Sequence, residues 1–358
     1  MDPQLLSDLL RFIAGSDVDD AAFNDLALRL FRHQYQHNLP LQRVCQQRGR
    51  TPRTVSGWRD IPPVPINAFK DLTLSSEPIG QCERVFMTSG TTRGEQKGRH
   101  YHPHLQVYDL SMRLNFQRHI MREARRMQVM VLFPDEVQMP NSSLAHYLSL
   151  AVRDFGHPGS RHYIHGQGLC LSDWCADLAL ACQRGEPVLL LGASYSLVHA
   201  CDALRAQGLT YRLPAGSRIM DTGGFKGQSR ELSPAEFYGT LAHTFGVDPA
   251  LCQNMYGMTE LSTQFYDSGQ GAQPVIKRGP HWIRTRVLDP LSGLERPAGE
   301  VGVLAHTDLG NFNSVLTILT EDLGHAHEDG FVLLGRAQGA PAKGCSLAVE
   351  AFLQAARA

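Results

Sequence analysis

Apolar positions near the start of the chain recur at helical spacing. Leu5, Leu6, Leu9, Leu10 and Ile13 lie on one face of a first helix, and Phe23, Leu26, Leu28, Leu30 and Phe31 predict a second over Ala21 to Gln36. The pattern breaks between Pro52 and Pro65. Ile61-Pro62-Pro63-Val64-Pro65 is short of amide donors and cannot be helical, so it reads as a loop. Val85-Phe86-Met87 is a short strand, followed by a glycine-rich loop and a helix from about His104 to Arg126. Continuous apolar runs then alternate with helical patterns. Val129 to Phe133, Val188 to Gly192 and Ile219 to Thr222 read as buried strands; Leu144 to Phe155, Asp173 to Arg184, Val198 to Gln207 and Pro234 to Phe245 read as helices. That alternation predicts βαβ units and a parallel sheet. Beyond about residue 280 the texture changes: Trp282 to Leu288, Gly302 to Ala305 and Phe331 to Leu334 are short strands between Pro/Gly turns, hence a small antiparallel β unit. A short helix over about Leu347 to Ala356 closes the chain. The expected organisation is a helical region over 1–80, an α/β core over 81–280, the antiparallel unit over 281–335 and a tail over 336–358.

Composition narrows the class. The 358 residues are 42% hydrophobic and 19% charged, as in a globular protein with an ample core. A net charge of −1 gives no field that would gather nucleic acid or an acidic membrane. No run is long and apolar enough for a membrane helix, and no basic segment leads into an apolar one at the start, so a cytoplasmic protein is expected. The 8 cysteines include no C-x-x-C pair, which argues against a zinc ribbon or a thioredoxin-type motif.

Three segments carry candidate chemistry. The first is Thr88-Ser89-Gly90-Thr91-Thr92-Arg93-Gly94-Glu95-Gln96-Lys97-Gly98. Its glycines let backbone N–H groups approach an anion, its hydroxyls add donors, and Lys97 adds a point charge. Lysine is scarce here, occurring only at 70, 97, 226, 277 and 343, so its place in this loop is informative. The spacing is not that of the Walker loop. The second segment is Asn254-Met255-Tyr256-Gly257-Met258-Thr259-Glu260. The third is Thr320-Glu321-Asp322, followed by Gly335-Arg336.

In this order the three resemble the motifs of adenylate-forming enzymes: acyl-CoA synthetases, firefly-type luciferases and nonribosomal adenylation domains. The loop is similar to their T-S-G-[ST]-T-G-x-P-K-G phosphate loop, with Arg93 at the usual Gly and Gln96 at the usual Pro. Tyr256 to Glu260 matches Y-G-x-T-E without change, whereas Glu321 replaces the glycine that normally precedes the aspartate. A narrower resemblance is to the LuxE-type acyl-protein synthetases. It rests on the Pro62-Pro63-Val64-Pro65 to Phe69-Lys70 lead-in, the early end after Gly335-Arg336, and the tail Lys343-Gly344-Cys345-Ser346-Leu347.

The resemblance implies an adenylate-forming α/β fold: a large domain of parallel αβα sheets, a small β-barrel-like subdomain and a truncated C-terminus. It implies activation of a carboxylic acid, a fatty acid by expectation, with ATP and Mg²⁺, release of pyrophosphate, and transfer of the acyl group through Cys345 to an acceptor such as a reductase. Thr88, Ser89, Gly90, Thr91 and Thr92 would hold the β- and γ-phosphates with Lys97 nearby. Tyr256 and Gly257 would meet adenine, flanked by Gly223 and Gly224. Thr259 would contact the α-phosphate, Glu260 would hold Mg²⁺, Asp322 would accept from the ribose hydroxyls, and Arg336 would meet ribose or phosphate. Two other functions stay open: a stand-alone ligase passing its acyl-AMP to an amine, CoA or carrier protein, and a non-catalytic nucleotide-binding scaffold.

Other polar clusters have simpler readings. His100-x-His102-x-His104 would put imidazoles on one face as metal ligands if it were a strand; Pro103 argues for a polar loop instead. His325-x-His327 reads as a solvated turn and the Arg122 to Arg126 cluster as a solvated helix face. Cys170 and Cys175 read as core or helix-face thiols.

Overall fold

A computed structural model describes residues 2–16, 19–89, 96–166, 168–225, 229–270 and 273–357. In chain order the first elements are α1 (Pro3–Ala14), α2 (Asp20–His37), α3 (Leu39–Gln47), β1 (Val64–Pro65), α4 (Ala68–Asp71), β2 (Arg84–Met87), β3 (Arg99–His102) and α5 (Gln106–Phe116). The middle holds β4 (Gln128–Leu132), α6 (Ser143–Phe155), β5 (Arg161–His162), β6 (Ile164–His165), β7 (Gly168–Leu169), α7 (Leu171–Arg184), β8 (Val188–Ala193), α8 (Ser194–Ala206), β9 (Arg218–Thr222), α9 (Pro234–Phe245), β10 (Cys252–Tyr256) and β11 (Phe265–Tyr266). Then come β12 (Ile276–Lys277), β13 (Ile283–Leu288), β14 (Gly302–Asp308), β15 (Thr317–His327), β16 (Gly330–Arg336) and α10 (Ala340–Arg357).

These elements form two compact units. One comprises Arg113–Gly257 and Gln264–Val275; the other comprises Met1–Met112, Met258–Thr263 and Ile276–Ala358. The grouping cuts across the linear segmentation, because β1 pairs in parallel with β15, Val64 opposite Ile318 and Pro65 opposite Leu319. The proline-rich stretch read as a loop thus contributes a two-residue edge strand, a place where a missing amide is tolerated.

In the first of these units the sheet order is β11-β10-β9-β8-β4-β5. All neighbours are parallel except β11, which runs antiparallel to β10. Every residue of β8 and β9 is buried; β8 is continuously apolar rather than alternating, whereas β9 buries Arg218, Asp221 and Thr222, each of them hydrogen-bonded. Met130, Leu190, Trp174, Leu178, Leu197, Leu204, Phe237 and Phe245 form one core that joins α7, α8 and α9 to the sheet. Each such side chain contributes about 1.5–3 kcal/mol on burial. Helix α9 shows how local chemistry fixes an element. Ser233 and Glu236 form a capping box, Pro234 opens the first turn, and Gly246 ends it at φ 64°. A Cβ on Gly246 would sit 3.3 Å from the Arg212 Cα.

Helix α5 stops at Phe116, well short of the expected Arg126. A π-helical turn, Gln117–Met121, follows it, and Arg122 takes a left-handed φ of 53°. The buried Arg218 guanidinium donates to the Ile120 and Met121 carbonyls and so caps the chain there. The Arg122 to Arg126 cluster is solvated, as expected, but it lies beyond the helix.

In the other unit the sheet order is β12-β16-β15-β14-β13, antiparallel throughout, with β1 added alongside β15. Strand β15 was not anticipated, and it carries both Thr320-Glu321-Asp322 and the His325-x-His327 pair read as a turn. Buried polar groups tie α2 and α3 to the turn before β15. Gln34 Nε2 donates to the Asn311 and Phe312 carbonyls, Gln34 Oε1 accepts from Leu316 N, and Asn38 Nδ2 donates to the Ser314 carbonyl. Each partner satisfies a group that burial would otherwise leave costly. Helix α10 begins before the expected position and includes the backbone of Cys345. Its far end is pinned by buried Phe352, Ala355 and Ala356, and by Arg43 and Gln47, which donate to the Ala356 and Ala355 carbonyls.

Candidate active site

The glycine-rich loop springs from a hairpin. Strands β2 and β3 pair antiparallel with Met87 opposite Arg99, and Phe86 opposite His100. The loop is closed at its base by Thr88 N donating to the Gly98 carbonyl and Gly98 N donating to Thr88 Oγ1, both at 3.0 Å. Gly98 leaves little room for a side chain: a Cβ there would lie 3.1 Å from Thr88 Cγ2, 3.4 Å from Glu260 Oε1 and 3.6 Å from Phe69 Cβ. The loop base and the Glu260 carboxylate are therefore in direct apposition. Ser89 and Lys97 are exposed; Gly90, Thr91 and Thr92 lie outside the described residues.

Glu260 is 7% exposed. Burial pushes its carboxyl up to about 7, opposed by the positive charges of Lys70 and Arg336 and assisted by the negative charge of Glu321. The third segment thus reaches the same carboxylate. Arg336 lies opposite Asp322 in the β15–β16 ladder, and its Nη1 is 3.6 Å from Glu321 Oε2. Asn67 Nδ2 donates to the other Glu321 oxygen. Asp322 is half-buried, with its backbone N–H held by Thr320 Oγ1.

A buried frame fixes the Thr259-Glu260 backbone. Asn311 Nδ2 donates to the Glu260 carbonyl at 2.9 Å, and Asn311 Oδ1 accepts from Ser262 N and Oγ. Asp308 accepts from Ser262 N, Thr263 N, Thr263 Oγ1 and Gly310 N; burial nonetheless pushes its carboxyl up to about 6. The His100 ring bonds the Thr259 carbonyl at 2.9 Å.

In the parallel-sheet unit, Gly223 and Gly224 follow the carboxyl end of β9, with Gly223 at φ 75°. Ligands favour that end of such sheets. Thr222 Oγ1 donates to the Met255 carbonyl, locking β9 to β10. Asp221 accepts from Ser194 Oγ at 2.7 Å, Tyr238 OH at 2.8 Å and Asn254 Nδ2 at 2.8 Å. Tyr256 closes β10, buried with its ring 5.9 Å from that of Phe265, and Gly257 beyond it is exposed.

The sequence profile of the LuxE acyl-protein synthetases matches residues 5–353, nearly the whole chain. The chain belongs to that family. This synthetase is 24% identical over 336 residues to a long-chain-fatty-acid–luciferin-component ligase of Vibrio harveyi, covering 88% of this chain and 86% of that one. It is 22% identical over 340 residues to the protein of the same name from Aliivibrio fischeri, covering 89% and 87%. Its fold is that of adenylate-forming ligases. An open conformation of 2-hydroxyisobutyryl-CoA ligase, in complex with 2-HIB-AMP and CoA, superposes with a TM-score of 0.67 at 15% identity, covering 88% of this chain and 69% of that one. ATP-bound MatB from Rhodopseudomonas palustris gives 0.52 at 16%, covering 73% of this chain and 49% of its own length. The synthetase is an enzyme of the ligase class that activates acyl groups.

Sequence reasoning missed several members of the site. The charges of Lys70 and Glu321 act on the Glu260 carboxylate, Asn67 holds Glu321, and His100, Asn311 and Asp308 hold the backbone from Thr259 to Thr263. The signals were faint: one of only five lysines, an acidic residue beside Asp322, and an Asp-x-x-Asn turn. The histidine row needs correction. His100 and His102 are buried on strand β3 rather than exposed in a polar loop, packed against Phe69, Phe86 and Tyr108. They hold no metal geometry: among the described residues no three His, Cys, Asp or Glu side chains are placed to bind an ion. The cysteines at 45, 201 and 252 are buried with their thiols pushed up to about 12, about 11 and about 12, so none is a ready nucleophile. Cys345 lies on α10; its side chain is outside the described residues. Among the described residues no helix is long and apolar enough to cross a membrane.

Proposed function

We propose that the synthetase joins a long-chain fatty acid to AMP and passes the acyl group through Cys345 to a protein acceptor. A carboxylate oxygen attacks the α-phosphorus of ATP, the bond to the bridging oxygen breaks, and pyrophosphate departs. The Cys345 thiolate, its proton released to solvent, then attacks the acyl carbonyl and AMP leaves with the electron pair of the mixed-anhydride bond. A reductase would then take up the thioester; the bacterial relatives are named for joining a long-chain fatty acid to a luciferin component. The observation that carries the first half is the meeting of the loop base, Glu260, Lys70 and Arg336 around one buried carboxylate.

The donor chemistry suits Mg²⁺, which takes few protein carboxylates and completes its shell with phosphate oxygens and water. Glu260 would hold it, where it would neutralise charge gathering on the phosphates. The chain's own groups do the rest. Thr88, Ser89, Thr91, Thr92 and the Gly90 amide bind phosphate oxygens. Lys97 and Arg336 supply positive charge, Thr259 meets the α-phosphate, and Asp322 accepts from the ribose. Tyr256, Gly257, Gly223 and Gly224 form the adenine platform.

Pyrophosphate release measured against acids of graded chain length tests the first half, and a maximum at short or aromatic acids would refute the fatty-acid assignment. Mass spectrometry of Cys345 after incubation with ATP and acid tests the second. One observation favours direct transfer to an external amine, CoA or carrier instead: Cys345 belongs to a formed helix anchored at its far end. Full product formation by Cys345→Ser would decide for that reading.

A further inference from the structure

We infer that His100, held in one tautomer between the Thr259 carbonyl and Ser314, is a positioning residue that ties strand β3 and the Gly98 base of the glycine-rich loop to the Thr259-Glu260 segment. The inference rests on the proposed role of Glu260. Its basis is a row of hydrogen bonds with only one consistent arrangement of protons. His100 Nδ1 lies 2.9 Å from the Thr259 carbonyl, which can only accept, so Nδ1 carries the hydrogen. The ring is fully buried, and that burial keeps it neutral. Nε2 then has a lone pair only, and it accepts from Ser314 Oγ at 2.9 Å. Ser314 belongs to the turn held by Asn38 and, two residues on, by Gln34. The imidazole is clamped from behind and pulls the Thr259 carbonyl from the front.

The position of His100 in the chain gives this clamp its purpose. It stands two residues after Gly98, whose amide and carbonyl close the loop on Thr88. It stands on β3, whose pairing with β2 carries the other end of the loop. The Gly98 loop base, β3 and, through the imidazole, the backbone one residue before the Glu260 carboxylate thus form one hydrogen-bonded unit. Hydrogen bonds of this kind set the placement of reacting groups, and misplacement by about 1 Å costs up to about a hundredfold in rate. Neither Ser314 nor the ring itself needs to touch substrate.

The test uses His100→Leu, His100→Asn and Ser314→Ala in the full-length enzyme, read by acid-dependent pyrophosphate release and by thermal unfolding. Leucine fills the volume but offers no donor; asparagine places an N–H near the position of Nδ1. We expect His100→Leu to lower kcat about tenfold to a hundredfold with KM for the fatty acid within about twofold. His100→Asn should recover most of the lost rate, and Ser314→Ala should fall several-fold with little change in Tm. A rescue by asparagine that restores rate but not Tm separates positioning from packing. Rates within twofold of wild type in His100→Leu, or equal rates in His100→Leu and His100→Asn, would overturn the inference. If His100→Leu fails to fold, the ordering of wild type, His100→Asn and Ser314→Ala decides, and a Ser314→Ala enzyme as fast as wild type overturns it. A Glu260→Gln control that stays fully active would remove the role of Glu260 and this inference with it; an inactive control with an unaffected His100→Leu removes this inference alone.

Discussion

Glu260→Gln should abolish turnover and make the unliganded protein more stable, by a margin that grows as pH rises from about 4.5 to about 7. Burial lifts the carboxyl from its usual 4.5 to about 7. The folded chain therefore holds this proton more tightly than the unfolded chain does. At low pH the group is protonated in both states and costs nothing. As pH rises from 4.5 through 7 the unfolded carboxyl ionises first, and the folded state falls behind. At about 1.4 kcal/mol per pH unit the lag amounts to about 3 kcal/mol above pH 7 and under about 1 kcal/mol at pH 5. Glutamine keeps the shape without the charge, so urea unfolding of the two proteins at pH 8 and pH 5 should show the larger gap at pH 8. Addition of ATP and Mg²⁺ at pH 8 should then stabilise wild type and leave the variant unchanged. An equal gap at both pH values, or a variant less stable at pH 8, would refute the reasoning. Asp308 gives the contrast. Its carboxyl is also raised, to about 6, yet it accepts bonds from two consecutive amides, from Thr263 Oγ1 and from Gly310 N. Asp308→Asn would set an N–H against donors and should destabilise at every pH, by about 1–3 kcal/mol.

Gly98→Ala should cost at least tenfold in kcat/KM for ATP with a small change in Tm, because its Cβ would press on Thr88 Cγ2 and crowd the Glu260 oxygen; unchanged ATP kinetics would speak against the loop base as part of the site. Glu321→Gln should move the pH–rate midpoint governed by Glu260 downward and Lys70→Met should move it upward, as removing a like and an opposite charge must; movement in the same direction would contradict the electrostatic picture. Phe352→Ala should cost about 3–5 kcal/mol and expose α10 to proteolysis, since that ring is fully buried at the anchored end of the helix; resistance equal to wild type would show that the helix is held elsewhere.

Elements were legible where local and tertiary forces agreed. The run Val188 to Gly192 reads as a buried strand and lies within β8, and α9 starts and stops at its own cap and glycine. Strand β15 was hidden because its outer half carries Glu321, Asp322 and Gly324, each a poor strand former, and its neighbours β1 and β14 decide the matter from elsewhere in the chain. The end of α5 is imposed by Arg218, some hundred residues away. The site followed the same rule. Thr88, Glu260 and Arg336 were legible as candidates because they stand in segments that resemble the motifs of adenylate-forming enzymes. The groups that hold them, His100, Asp308 and Asn311, act through backbone atoms of remote segments and leave no spacing to read.

The buried amides of Gln34 and Asn38 make the first helices more than a wrapper. Gln34 grips the very turn from which Asn311 reaches the Glu260 carbonyl, so the line from the N-terminal region to Glu260 passes through two side chains. A Gln34→Leu substitution, made in a helix far along the chain from Glu260, would therefore loosen the turn through which Asn311 holds that residue's backbone.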